Sequence, residues 1–392
     1  MTGQDQTTTT DNAINTLLEH GLADGLPRIA EMLLNAAMLL ERAAHLQAGS
    51  HERTAARTGY ANGFKPRGLQ TSLGALELRQ PQVRDCEEPF RTSLLESGSR
   101  IERSLKAAIA EMYLQGVSTR RVTTIMERLC GLEVTSTQVS RLTAELDGEF
   151  EKWRNRALPA IIFLILDATY IKVRLDGAVR DCAVLTAIGV CRDTGKRMVL
   201  GVSAAISEAE PHWRSFLASL KTRGIGIPDL VTSDAHGGLK AALRATLNAT
   251  PWQRCQFHLQ QNAQAYVPNI AMRKQVAADI RSIFNCPDRP RAEERLGEMI
   301  EKYRKSASKL ADWLEANIPE GLTVFQQPEN CRRRLRTSHM SENLHLQSNR
   351  RTRVAGHVPN EASVLRLVTA ILMETSEEWE TGRAYLSLTH QD

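Results

Sequence analysis

No stretch of this 392-residue sequence is long and apolar enough to cross a bilayer: the longest strongly apolar run, Ile161–Leu166, has six residues, where a spanning helix needs about 20. The opening, MTGQDQTTTTDN, lacks the basic and apolar regions of a secretion signal. Cys86, Cys130, Cys182, Cys191, Cys255, Cys286 and Cys331 are odd in number and scattered, and no two form a Cys-x-x-Cys pair. Neither a disulfide framework nor a four-cysteine zinc site is therefore expected, and a reducing cytoplasm suits the chain. Internal repeats and long low-complexity tracts are missing as well. Secretion, membrane insertion and a disulfide scaffold drop out together.

What is there suits a soluble globular protein of two or three domains, with 42% hydrophobic and 24% charged residues. The net charge of +5 says little, but its distribution says more. Between Cys331 and Arg353 stand seven arginines (Arg332, Arg333, Arg334, Arg336, Arg350, Arg351, Arg353) and one acid, Glu342. That density suits a polyanion, because each cation set on a phosphate releases condensed counterions. A solvated basic loop is the plain alternative.

Along the chain, residues 1–24 are expected to form a disordered tail, and apolar residues at helical spacing predict a helix over Leu26–Leu46 with Pro27 in its first turn. The segment LQTSLGALELRQPQV reads as short strands turning near Gly74. Residues 25–100 are thus expected to form an N-terminal helix plus a small strand-containing DNA-binding region. Over 101–155 three short helices follow, broken at Gly116-Val117-Ser118 and at Gly131, with Ser118 as a cap. Ser136, Thr137, Gln138, Ser140 and Arg141 open the third, resembling a helix-turn-helix whose recognition helix would offer them to a major groove. An ordinary three-helix packing unit is the alternative.

Pro159 opens a new domain. A long strand from Ile161 to Leu175 ends at the turn signal Asp176-Gly177, and strands near Arg180–Cys191 and Arg197–Ala204 follow. A helix with a capping box at Ser207 and Glu210 comes next, then a short buried strand, Leu230–Thr232, ending at Asp234, then a helix from about Gly238. This order is the opening of an RNase H-like fold, although other α/β domains share it. Residues 156–259 give the first part of this core. Residues 260–330 read as a helical insertion, and 331–392 as the C-terminal helices, the last one amphipathic.

Asp167 follows six apolar residues on a strand buried on both sides, where an ionised carboxylate is costly unless paired or bound to a cation. A lysine or arginine partner would also account for it. Asp234 ends another buried strand, where α/β sheets present ligand groups, or else caps a helix. With the first and fourth strands side by side the two acids would converge, and a divalent cation would relieve their repulsion. Glu342 is the candidate for a third acid. Mg²⁺, with Mn²⁺ as a substitute and two ions per site, suits such carboxylates and phosphate oxygens.

Taken together, LDATYIKVR around Asp167, SDAHGGLKAAL around Asp234, QRCQFH at 253–258 and SENLHLQSNRRTRVAGHVPN around Glu342 resemble the mutator-type transposases of bacterial insertion sequences. RTGYANGFKPR, MYLQGVSTRRV and TSTQVSRLT extend the resemblance upstream. It implies an Asp-Asp-Glu site on an RNase H-like α/β core with a helical insertion domain, preceded by a mostly helical DNA-binding region. It further implies cleavage and strand transfer at terminal inverted repeats, assembly as a homodimer or larger on paired ends, and action on target DNA at the bacterial nucleoid. No membrane and no small-molecule substrate enter. The Cys-x-x-His of Cys255 and His258 fits the family's signature. With only two ligand-type residues it suits packing and orienting beside the acids better than zinc binding. Two rivals remain: a non-catalytic DNA-binding regulator, and an RNase H-like nuclease without strand transfer.

Overall fold

The computed structural model describes residues 3–96, 99–175, 178–355, 358 and 360–387. It divides into two compact units, Met1–Glu145 and Leu146–Asp392.

In the first unit, helix α1 (Gly3–Leu46) is interrupted at Gly21, whose φ of 69° is the left-handed conformation glycine tolerates. Residues 3–24, expected as a disordered tail, are thus helical, and Pro27 lies inside the helix rather than at its start. Strands β1 (Tyr60–Thr71) and β2 (Gly74–Arg84) form an antiparallel ribbon that turns at Thr71–Gly74, as the sequence predicts. Met38 of α1 is packed with Leu76 and Leu78 of β2 and with Leu95.

Helices α2 (Arg103–Leu114), α3 (Thr119–Cys130) and α4 (Ser136–Ala144) bury Leu105, Ile109, Val122, Met126, Leu132, Val139 and Leu142 in one cluster. The Ser118 hydroxyl accepts from the Arg121 N–H, and Gly131, with φ of 64°, closes α3. Helix α4 is started by a reciprocal capping box, in which Thr135 accepts from the Gln138 N–H and Gln138 accepts from the Thr135 N–H.

The second unit begins with α5 (Asp147–Arg154), although the sequence pattern groups these residues with the helices of 101–155. Its core is a sheet of β3 (Ile161–Leu175), β4 (Ala178–Cys191), β5 (Arg197–Ala205), β6 (Leu230–Ser233) and β7 (Trp252–Arg254) in the order β5-β4-β3-β6-β7. The first three strands meander antiparallel, while β6 and β7 run parallel to β3. The Asp176-Gly177 turn expected between β3 and β4 lies outside the described residues. Strand β7 has only three residues, too few to show a pattern in the sequence.

Helices α6 (Glu210–Thr222) and α7 (Gly237–Thr246) cover one face, burying Trp213, Leu217, Leu239 and Ala242 on Leu164 and Leu166. The capping box expected at Ser207 and Glu210 is not formed: Ala209 is the cap, and Glu210 pairs with Arg214.

After β7 the chain leaves the sheet through α8 (Gln256–Ala263), α9 (Arg273–Phe284), α10 (Arg289–Arg304) and α11 (Ser308–Asn317), then two 3₁₀ turns, Ile318–Gly321 and Thr323–Gln326. These enclose their own apolar core from Leu259 to Phe325. Helix α12 (Glu329–Leu335) returns the chain to the sheet. Helices α13 (His339–Ala355) and α14 (Glu361–Thr381) then cover the second face, packing Met340, Leu344, Val364, Val368 and Leu372 on Ile165, Ile171 and Val173. Among the described residues no helix is long and apolar enough to cross a membrane.

Candidate active site

The β3–β6 register pairs Phe163 with Leu230, Leu164 with Val231 and Ile165 with Thr232. Carried on by two residues, it sets Asp234 level with Asp167, so the predicted neighbourhood of first and fourth strands is present. Asp167 is 6% exposed, and α13 lies over it. Its Oδ2 is 2.5 Å from Ser341 Oγ and 3.5 Å from His345 Nδ1. Ser341 Oγ also lies 2.5 Å from the Ser338 carbonyl. One hydroxyl proton serves both acceptors only if it is shared, or if Asp167 is itself protonated.

Burial pushes the Asp167 carboxyl up to about 7; the Ser341 hydrogen bond and the charge of His258 oppose this, and the charge of Asp234 adds to it. Burial also lowers His345 to about 4, so the His345–Asp167 approach is a contact of neutral imidazole at pH 7 and not an ion pair. Two buried polar atoms beside Asp167 have no hydrogen-bond partner among the described residues: His345 Nε2 and Oγ1 of Thr186, the residue paired with Asp167 on β4. Buried polar groups are rarely left this way, and a bound polar group or water would satisfy them.

Asp234 does not cap α7. Its Oδ1 accepts from the His236 N–H at 3.2 Å, and it stays partly exposed. Glu342 follows Ser341, with Oε2 2.8 Å from His339 Nδ1. Among the described residues no three His, Cys, Asp or Glu side chains are gathered into a metal-holding cluster, so the acids do not close on one point. The oxygen donors still suit Mg²⁺, which takes few protein carboxylates and completes its shell with water and phosphate.

Cys255 and His258 tie the two acid-bearing segments together. The Cys255 N–H donates to the Ser233 carbonyl at 2.7 Å, one residue before Asp234. Its buried sulfur lies 3.4 Å from the Ser338 N–H and 3.5 Å from the Ser338 hydroxyl, just before Ser341. Burial raises the Cys255 thiol, but hydrogen bonds to His258 and Ser338 outweigh it and hold the thiol below its ordinary range. The same contact with Cys255 pushes His258 up to about 9 against burial, helped by the charges of Cys255, Asp167 and Asp234. The His258 ring and the two aspartates thus act on one another electrostatically.

The basic run is not uniform. Arg333, Arg334 and Arg350 are exposed. Arg332 instead bonds the carbonyls of Gln327 and Pro287, both at 2.7 Å, and Arg336 bonds Asn285 Oδ1 at 2.8 Å, so these two fasten α12 to the insertion. Arg351 pairs with Glu374 at 3.0 Å, and the Arg353 side chain lies outside the described residues. On α4, Thr137, Ser140 and Arg141 are exposed, Ser136 is half-buried, and Gln138 is engaged in the cap. Sequence reading missed Ser338, Ser341 and His345, all on the SHMSEN-LH stretch beside Glu342. The serine and histidine spacing of three and four residues on one helix face was the available signal.

Comparison with known proteins gives the family. The family model described as "Transposase, Mutator family" matches residues 1–382. The transposase for insertion sequence element IS406 of Burkholderia multivorans is 49% identical, over 97% of this chain and 98% of its own. Those for ISRM5 of Rhizobium meliloti and for IS256 in transposon Tn4001 of Staphylococcus aureus are 37% and 33% identical, over 93% and 95% of this chain and 91% and 96% of theirs. The chain belongs to the Mutator family of transposases, the DNA-moving proteins of insertion sequences.

Proposed function

We propose that this transposase binds the terminal inverted repeats of its element through the first unit and catalyses divalent-metal-dependent strand cleavage and strand transfer at Asp167, Asp234 and Glu342. The observation that carries the reading is Asp167, a buried acid level with Asp234 and bordered by unpartnered polar atoms, with no lysine or arginine beside it among the described residues. We read the strand order β5-β4-β3-β6-β7 as an RNase H-like core and α3–α4 as a helix-turn-helix.

In this reading Asp167 and Asp234 hold Mg²⁺ or Mn²⁺, two ions when DNA is bound, with Glu342 as the third acid. The bound cation supplies charge stabilisation to the attacking and departing oxygens of the phosphodiester. Ser341 fixes the rotamer of Asp167, and neutral His345 adds no charge of its own to the site. Cys255 keeps Ser233 and Ser338, and so the two acid-bearing segments, in fixed register. Arg333, Arg334 and Arg350 contact DNA backbone, and Thr137, Ser140 and Arg141 face base edges. Paired ends call for at least a homodimer.

The test is to incubate the full chain with labelled element ends and Mg²⁺ or Mn²⁺ and to map the products. Free 3′ ends followed by joined strands are expected. Cleavage without joining would leave a nuclease, and binding without cleavage a regulator.

A further inference from the structure

Between the two residues expected to form the cap of α6, Glu208 is turned into the protein, and its side chain is 8% exposed. No lysine or arginine is paired with it among the described residues. Its neighbours are His236 Nδ1, 3.6 Å from Oε2, and the Tyr170 hydroxyl of β3. A buried carboxylate so placed is costly, and an acid with a purely structural role is usually better paired. Asp279, buried in the insertion, shows the contrast: Lys302 at 2.6 Å, the Tyr303 hydroxyl and the Gln275 amide all reach it.

Three observations tie Glu208 to Asp234. The His236 ring meets Glu208 while the backbone N–H of the same residue donates to Asp234 Oδ1 at 3.2 Å. Gly238, on the first turn of α7, is pressed by the loop that carries Glu208. A Cβ there would stand 2.3 Å from the Glu208 carbonyl and 2.8 Å from the Glu210 nitrogen, so the loop and the helix start are locked together. The Tyr170 phenol, pushed up to about 12 by partial burial and by Glu208, Asp234 and Asp181, lies in the field of both acids.

We propose that Glu208 is a positioning residue of the catalytic centre, which holds His236 and thereby fixes Asp234 in the orientation that receives the divalent cation. The inference rests on the metal-dependent reading above. Outer carboxylates that orient a ligand segment typically change metal affinity by 10–100-fold when lost.

The experiment uses the full chain bound to a terminal-repeat duplex. Mn²⁺ binding is measured by electron paramagnetic resonance, and the Mg²⁺ concentration for half-maximal cleavage is measured alongside. Glu208→Gln is expected to weaken Mn²⁺ binding and to raise the Mg²⁺ midpoint by about tenfold, with a smaller loss of maximal rate and partial recovery in Glu208→Asp. His236→Ala removes an exposed ring without emptying the core and should give the same shift, and the double variant should be no worse than either single one. An unchanged Mn²⁺ affinity with only a lower melting temperature would make Glu208 a structural acid and overturn the proposal, as would additive shifts. Asp167→Asn serves as the control: if it still cleaves, the metal-dependent reading itself fails, whereas an inactive Asp167→Asn beside an unshifted Glu208→Gln defeats this inference alone.

Discussion

Asp167 sets the energetics of the site. Its carboxyl is neutral in the unfolded chain only below about pH 4, but in the metal-free fold it stays neutral up to about 7. Between those values the unfolded state releases a proton that the folded state keeps, so this group lowers stability as pH rises from 4 to 7. Asp167→Asn removes the titration. In EDTA the variant should therefore gain stability over the parent across that window, by an amount on the order of a few kcal/mol at pH 8. Melting curves at pH 4.5 and pH 8 check this, and an equal difference at both would refute it. The same variant, and Asp234→Asn, should lose cleavage and joining while keeping DNA binding. Glu342→Gln should be as inactive. Glu320 is already paired with Lys240 and Arg254, at 2.6 and 3.0 Å, while Glu329 is exposed and Glu361 stands in the first turn of α14. Glu329→Gln and Glu361→Gln should stay active in the same assay, and an inactive Glu329→Gln with an active Glu342→Gln would reassign the third acid.

At the level of single elements, the sequence was most legible where pattern and chemistry coincide. The apolar run before Asp167, the Ser118 cap, the glycine close of α3 and the amphipathic α14 all follow from local rules. Polar residues at a helix start suit a groove, which makes Gln138 a candidate base contact; the reciprocal bond with Thr135 engages it in the cap. Arg332 and Arg336 looked like DNA contacts because a charge run hides which members meet carbonyls from distant segments. Helix α5 packs with the second unit through a bond 219 residues away, which no local pattern shows: Arg366 of α14, 7% exposed, grips both oxygens of Asp147 at 2.7 and 2.6 Å. Asp147→Ala leaves that buried guanidinium without its carboxylate. As Asp147 is itself half exposed, we expect a loss of about 1–2 kcal/mol by denaturant titration, with α5 the first segment to gain hydrogen exchange. No change in either would show that packing alone holds α5.

On the scale of the whole molecule, the proposed function divides the energetics of DNA binding between the two units. The three-helix cluster with Thr137, Ser140 and Arg141 exposed belongs to the unit ending at Glu145, and the exposed arginines Arg333, Arg334 and Arg350 belong to the other. Base edges carry sequence information, whereas phosphate contacts add affinity for any duplex and a dependence on salt. A fragment of residues 1–145 should thus keep the preference for the terminal repeat over unrelated DNA, and Arg141→Ala within it should cost about 1–3 kcal/mol and relax one base position. The full chain should bind unrelated duplex more tightly than the fragment does. Each phosphate neutralised contributes about 0.9 to the slope of log affinity against log salt, so three arginines should steepen that slope by about 3 at most. Replacing Arg333, Arg334 and Arg350 by glutamine should return the slope toward the fragment's value and leave the sequence preference intact. Fluorescence anisotropy across a salt series, on the repeat and on a scrambled duplex, measures both quantities at once. If the triple variant loses preference while the slope stays fixed, specificity resides in the catalytic unit, and the division between the units falls.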